Sequence, residues 1–174
     1  MTILQDKIAN RLTDRLRLRP PRLGDLDAVI AIFSQPVVVA HRPDPSPENA
    51  ADCRARLERD LDHWHDHGFG RWALIFTDTV IGFGGLTLRD GFAGLNLSYH
   101  LHPAYWRHGL ASEFALAAVE MAFMDLAAPH VLGMVRPANI ASCHVLENAG
   151  LTLERDIVYG GHPGLLYLKR RGDA

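Results

Sequence analysis

The chain has 174 residues and a formal net charge of −2, with 48% hydrophobic and 22% charged residues. That length fits one domain against a prior of roughly 100–200 residues each and is enough to bury a substantial core. The near-neutral balance argues against a nucleic-acid partner, which would need clustered excess cation. Of the 18 cations, all but Lys7 and Lys169 are arginine. Arginine suits bidentate anion recognition, but so global a skew reads as background composition.

Taken in chain order, Arg15 to Arg19 alternates arginine and leucine and stops at Pro20-Pro21, the pattern of an opening strand. Between Gly24 and Phe33, Leu26, Val29, Ile30 and Phe33 recur at helical spacing and predict a short amphipathic helix. Gln35 to Pro47 holds four prolines and is expected to be irregular. Glu48 to His67 reads as a helix with Leu57, Leu61 and Trp64 on one face, closed by Gly68. Arg71–Phe76 and Val80–Leu88 read as strands around Thr77-Asp78-Thr79, followed by a strand over Leu95–Leu101. Leu110–Leu126 has no Gly or Pro and is rich in Ala, Leu, Met and Glu, which predicts the strongest helix of the chain. Val131–Val135 is a short strand stopped by Pro137. Asn139–Ala149 is a helix between a good capping residue and Gly150. Leu151–Tyr159 and Gly164–Leu168 are closing strands around Gly160-Gly161-His162-Pro163. The order β-α-α-β-β-β-α-β-α-β-β implies a mixed α/β layered domain with a central sheet.

No stretch approaches the roughly 18 apolar residues of a spanning helix, and the first twenty residues lack the apolar segment and cleavage site of a secretory signal. Cys53 and Cys143 form neither a CxxC nor a metal spacing. The expectation is a cytoplasmic protein with no membrane partner, in which the sequon at Asn96 is without meaning.

The stretch from Leu95 to Glu113 carries the chemistry. A strand ends at His102-Pro103, a connector brings Tyr105 and Trp106, and Arg107-His108-Gly109-Leu110-Ala111-Ser112 leads into the strong helix. The first N–H groups of a helix lack internal partners and its dipole makes that end partly positive, so such an end attracts phosphate. Gly109 allows close approach of the main chain and Arg107 adds charge. One glycine before a helix also fits an ordinary helix start.

The segment resembles the acyl-CoA-binding motif of the GNAT N-acyltransferases. It lacks the usual [RQ]-x-x-G-x-[GA] spacing, but Trp106 through Glu113 are similar, position by position, to the variant of the RimJ/RimL-like branch. Arg15 to Arg19 with Asp25 resembles the first strand and helix of that branch. Trp72 to Leu86 resembles its first hairpin. Asn139 to Ser142 with Val145 to Leu151 resembles its later helix block, with Asn148 in place of a lysine and Leu151 in place of a phenylalanine. The resemblance covers about Arg15 to Leu168 and implies a single domain over residues 1–174, its core at about 15–168. The implied fold is the GNAT-like acyl-CoA N-acyltransferase fold, a central mixed, mostly antiparallel splayed β-sheet flanked by helices.

The resemblance also implies a function. The strand from Leu95 would splay from the strand at Val131 and leave unpaired backbone groups for pantetheine, as for an added strand. Amides of Tyr99, His100 and Leu101 would polarise the thioester carbonyl, and those of Arg107, His108, Gly109, Leu110, Ala111 and Ser112 would hold the pyrophosphate. Asn139 and Ser142 lie within one helical turn beside the pantetheine arm. Asn139 is alternatively a cap alone, and Ser142 competes with Tyr99 as donor to the leaving thiolate. The amine acceptor must shed a proton. His100 and Glu154 are the candidate bases, and a water relay stays open because Asn96 stands where relatives often have an acid. The expected reaction is acetyl transfer from acetyl-CoA, as co-substrate and without metal, to a primary amine of a protein N-terminus or a small molecule. A homodimer is compatible with this. The competing functions are a non-catalytic acyl-CoA sensor and an interaction module on the same fold.

Three features carry less. His63 and His67 have a metal pair's spacing but lack the HExxH glutamate, which favours a solvated helix end. Gly82-Phe83-Gly84-Gly85 lies inside a strand and does not open a helix, so a dinucleotide loop fails. Cys143 beside Ser142 reads as a buried structural thiol rather than an acyl carrier.

Overall fold

Alternation in the central strands feeds two apolar layers, one on each face of a mixed sheet. The computed structural model describes residues 3–173. In chain order it forms α1 (Ile3–Ala9), β1 (Arg11–Leu12), β2 (Arg17–Arg19), α2 (Leu26–Phe33), α3 (Pro36–Val39), α4 (Ala50–His67), β3 (Arg71–Phe76), β4 (Thr79–Arg89) and β5 (Phe92–Leu101). Then come α5 (Leu110–Met124), β6 (His130–Val135), α6 (Ile140–Asn148), β7 (Thr152–Tyr159) and β8 (His162–Arg170). The eight strands lie in the order β1-β2-β3-β4-β5-β6-β8-β7. Every pair is antiparallel except β5 with β6.

Trp72 and Leu74 of β3 face α5, where Phe114, Ala115, Ala118, Met121 and Ala122 complete the larger core. Ala73 between them faces the other way and packs with Phe83 against Val29, Ile32 and Phe33 of α2 and Cys53 and Leu57 of α4. The period of two in the strands and of 3.6 in the helices thus puts each apolar face against its layer.

Four elements differ from the sequence expectations. The two-residue strand β1 was not foreseen, and neither was helix α1. The helix is docked by tertiary contacts: Trp72 Nε1 donates to the Ile8 carbonyl at 2.9 Å, and Lys7 and Arg11 both bind Asp125, each at 2.8 Å. The opening strand begins at Arg17 rather than Arg15, because Arg15 is drawn away to Glu113. Pro36, fit for a first helical turn, starts the one-turn α3 inside a stretch expected to be irregular.

The arginine excess also has a structural use. Arg19 holds the buried Asp25 through two bonds of 2.7 Å. Glu48 receives both Arg42 and Arg56, and Arg71 reaches the buried Asp60 at 2.8 Å. Burial opposes ionisation of Asp25 and Glu48, but their arginine bonds outweigh it and hold both carboxyls below the ordinary range. These arginines are not mere solvated faces.

His63 is likewise not a solvated helix end. Its Nδ1 meets the Phe69 carbonyl at 2.8 Å and its Nε2 faces the Leu88 amide at 3.3 Å. It staples the end of α4 to the sheet. Among the described residues no three His, Cys, Asp or Glu side chains converge as a metal set, and no helix is long and apolar enough to cross a membrane.

Candidate active site

Strands β5 and β6 run parallel and pair only at Leu95–Val131 and Asn96–Leu132. Beyond Asn96 they part, so the β6-facing edge of Leu97–Leu101 has no strand partner. Two cavities open at this fork. The larger, about 660 Å³, runs from the fork to the loop before α5. The smaller, about 110 Å³, lies toward β6 and the β7–β8 hairpin. His41, Tyr99, His100, Asn139 and Ser142 line both. That shared wall is where two bound molecules would meet.

The glycine run of β4 shapes the β5 side of the fork. Arg71, Gly85 and Ser98 form one cross-strand row. A Cβ on Gly85 would lie 2.4 Å from the Arg71 Cα, and with glycine there the Arg71 Nε reaches Ser98 Oγ at 3.0 Å. Gly84 is the middle of the next row, and a Cβ there would meet Phe114 and Tyr99, each at 2.7 Å. The run is a packing device that lets Tyr99 lie against Phe114.

The loop into α5 is held from outside. Arg107 and Gly109 both adopt positive φ, at 63° and 75°, which glycine takes without strain and arginine does not. Glu113, in the first turn of α5, accepts from Thr13 Oγ1, from the Arg15 amide at 2.8 Å and from Arg15 Nε at 2.7 Å. Burial works against its charge, but these donors prevail and keep the carboxyl below its usual range. Arg15 then donates to the His108 carbonyl at 2.8 Å. Trp106 Nε1 donates to the Leu101 carbonyl at 2.8 Å, tying the loop to the end of β5. The loop is therefore preorganised, with Arg107, Gly109, Leu110, Ala111 and Ser112 on the larger cavity. His108 is the member held by its carbonyl rather than found on the wall.

Helix α6 supplies the opposite wall. Asn139 is its N-cap, accepting from the Ser142 amide at 3.2 Å, and it also lines both cavities. The cap and the site residue are thus the same side chain. Tyr99 points its hydroxyl into this junction, where it is buried without a hydrogen-bond partner. Burial pushes the phenol up to about 12, with the neighbouring Ser142 side chain offsetting part of the rise. A buried orphan donor is costly, and such a group marks a place for an incoming acceptor atom. Asn148 Nδ2 donates to Ser112 Oγ at 3.3 Å and joins the end of α6 to the start of α5.

His100 faces the fork with its ring 4.8 Å from Phe33. Burial, and then Arg56, Arg42, Arg71 and His41, push its pKa well below the ordinary imidazole value. The imidazole is held in its neutral form, and the same burial and cations oppose its taking a full proton.

A model of the acetyltransferase (GNAT) domain matches residues 15–152. The chain belongs to the GNAT acetyltransferase family. An uncharacterized N-acetyltransferase, YoaA of Bacillus subtilis strain 168, is 27% identical over 147 residues, 82% of each chain. The structure of an acetyltransferase from Agrobacterium tumefaciens is similar at a TM-score of 0.80 with 27% identity, over 94% of this chain and 95% of that one. Two further structures share the fold at lower identity. RimL, a ribosomal L7/L12 α-N-protein acetyltransferase in complex with coenzyme A, has 16% identity and a TM-score of 0.74, covering 92% of this chain and 96% of its own. AAC(6')-Ib in complex with ribostamycin and coenzyme A has 15% identity and a TM-score of 0.77, covering 91% and 94%.

Within this acetyltransferase, the structure brings together Tyr99, His100, Leu101, the Arg107–Ser112 loop, Asn139 and Ser142. It does not bring Glu154 to them. Glu154 is the extra residue of a bulge in β7, between Leu153 and Arg155, and its carboxylate pairs with Arg170 at 2.8 Å. Strand β7 is the sheet edge beyond β8, and Glu154 borders neither cavity, so its candidacy as base is withdrawn. Cys143 is buried and free, as is Cys53.

The Arg15–Glu113 clamp was missed in the sequence, where Arg136 stands only as a second arginine near the slot, after Arg107, and Tyr159 only as part of an acceptor-facing loop over Val158 to Gly164. Arg136 stacks on Tyr159 at 3.7 Å and donates Nη1 to the carbonyls of Tyr159, His162 and Pro163 at 3.2, 3.0 and 2.9 Å. Glu113 stood in the matched motif, and its position after Gly109 was the available signal. Nothing local linked Arg136 to a hairpin more than twenty residues away.

Proposed function

We propose that this chain transfers the acetyl group of acetyl-CoA to a primary amine by direct attack in a ternary complex, and that it belongs to the RimJ/RimL-like branch. The observation that carries the reading is the meeting of two cavities at Tyr99, His100, Asn139 and Ser142, where β5 and β6 part. Coenzyme A, the product this donor leaves behind, is the molecule bound in the RimL complex. The match from Trp106 to Glu113 supports the branch.

The residues fit that donor. The amides of Arg107 to Ser112 would receive the pyrophosphate, with the dipole of α5 favouring the anion. The open edge of Leu97–Leu101 offers backbone groups to the pantetheine amides. The amides of Tyr99 to Leu101 would stabilise the oxyanion as the carbonyl carbon becomes tetrahedral. The amine enters from the smaller cavity. Its lone pair forms the C–N bond, and the released proton leaves through water that neutral His100 orients by accepting a hydrogen bond from it. As the C–S bond breaks, the Ser142 hydroxyl donates a hydrogen bond to the leaving thiolate, with the unpartnered Tyr99 hydroxyl as the competing donor, and the thiolate then takes its proton from water. A thiol leaving group of pKa near 8.5 needs only modest help, so this donor adjusts the rate rather than deciding it.

Purified protein incubated with acetyl-CoA and a panel of amines should release free thiol and form the N-acetyl product. Binding of acetyl-CoA with no turnover on any amine would reject the transferase reading in favour of a sensor. Absence of an acetyl-CoA-dependent rise in Tm would reject the coenzyme site itself.

A further inference from the structure

The lining of the smaller cavity has one sign of charge. Among the described residues neither cavity is lined by Asp or Glu, while His41, His100 and Arg136 border the smaller one. The carboxylates behind this wall are committed elsewhere, Glu48 to Arg42 and Arg56 and Asp60 to Arg71. One carboxylate between two guanidiniums leaves net positive charge. Arg136 makes no ion pair among the described residues, and its partners are neutral carbonyls that aim the guanidinium without cancelling its charge. The effect reaches the cavity: burial, then Arg42 and Arg136, hold the pKa of His41 below its ordinary value. A polycation entering here is repelled. An amine that brings its own anion is drawn in and oriented.

We propose that the acceptor of this acetyltransferase is a primary amine bearing a carboxylate, held with the carboxylate toward Arg136 and the nitrogen toward His100. The inference rests on the transferase reading above and narrows its substrate class. The free carboxylate of an amino acid and the acidic side chain at a peptide N-terminus share this chemistry.

The test is thiol release from the full chain at saturating acetyl-CoA, with acceptors compared in pairs. An amino acid against its amide probes the first source; an Asp-initiated against an Asn-initiated dipeptide amide probes the second. Spermidine and ribostamycin serve as polycations. Rates are referred to the neutral amine, since an amine's own pKa differs between an acid and its amide. The expected result is a kcat/KM at least roughly tenfold higher for the carboxylate member of one pair, falling with added salt as screening predicts, with no turnover of the polycations. The pair that responds identifies the source.

Arg136→Met should erase the preference and Arg136→Lys should keep part of it. Because Arg136 also holds the hairpin carbonyls, Met134→Glu gives an independent check: a carboxylate on the cavity wall should shift preference toward the neutral or cationic member. Equal rates within both pairs, or a preference for spermidine or ribostamycin, would overturn this proposal and leave the transferase reading standing. Bound acetyl-CoA without turnover of any amine would remove both.

Discussion

The two sides of the cleft are made of different material. On the coenzyme side, the loop from Arg107 to Ser112 offers backbone amides, fixed by positive φ at Arg107 and Gly109 and by the Arg15–Glu113 clamp. On the other side, His41, Arg136 and Tyr159 come from three separate segments and offer side chains. A site built of consecutive amides needs a contiguous segment and is written locally. A site built of side chains needs only that the topology bring them together, so it leaves no local pattern. The same division separates what a family shares, a common donor, from what each member changes, its acceptor.

The sharpest way to break this contrast is Gly109→Glu. A side chain at a φ of 75° is strained, and the new carboxylate would face phosphate. Affinity for acetyl-CoA in a calorimetric titration should fall at least about a hundredfold, or about 2.7 kcal/mol, while Arg136→Met leaves it within about twofold. Retained affinity in the glycine variant would refute the phosphate-loop assignment.

The shared wall comes next. Ser142→Ala combined with Tyr99→Phe should lower kcat roughly ten- to a hundredfold, at or below the low end for acid catalysis because a thiolate needs little help to leave, with acetyl-CoA affinity nearly unchanged. A change confined to KM would show that these hydroxyls bind rather than donate. A smaller effect is expected for Glu113→Gln. Losing the charged acceptor of Thr13 and Arg15 should loosen the loop and raise the KM for acetyl-CoA by roughly threefold to tenfold, or about 0.6–1.4 kcal/mol, part of the worth of a hydrogen bond to a charged group.

The smallest effect concerns pH. His100 has a folded pKa below its unfolded value of about 6.5. The unfolded state therefore binds more protons in that window, and stability falls as pH drops below about 6.5. Asp25 and Glu48, whose folded pKa values lie below their ordinary range, lose their contribution only further down, as pH falls through about 4 and below. Tm measured between pH 7 and 5 should decline, and His100→Phe should flatten that decline. An unchanged slope in the variant would place the effect elsewhere.

Much of this was legible in advance, and the rest was not for definite reasons. Periodicity located α2 and α4, composition α5, a capping residue and Gly150 α6, and apolar runs set off by turn residues most of the strands from β3 to β8. Helix α1 stayed hidden because its docking depends on Trp72 and Asp125, far along the chain. The loop before α5 was legible because consecutive residues do the work. Glu154 was misplaced because the last hairpin inserts β8 between β6 and β7 and leaves β7 at the sheet edge, an order that no local pattern marks. Arg136 was legible only as a second arginine near the slot, because its stack with Tyr159 is created by the fold. The arginine skew, taken as background, turned out in part to be a set of pairs with Asp25, Glu48 and Asp60.

The most direct test of the central claim, that the fork between β5 and β6 is where acyl donor and acceptor meet, is a crystal structure with acetyl-CoA bound. The account predicts the pyrophosphate on the amides of Arg107 to Ser112, pantetheine between β5 and β6, and the thioester carbonyl within hydrogen-bonding reach of the Tyr99–Leu101 backbone beside Ser142. A coenzyme bound elsewhere, or with its thioester remote from His100 and Ser142, would contradict it.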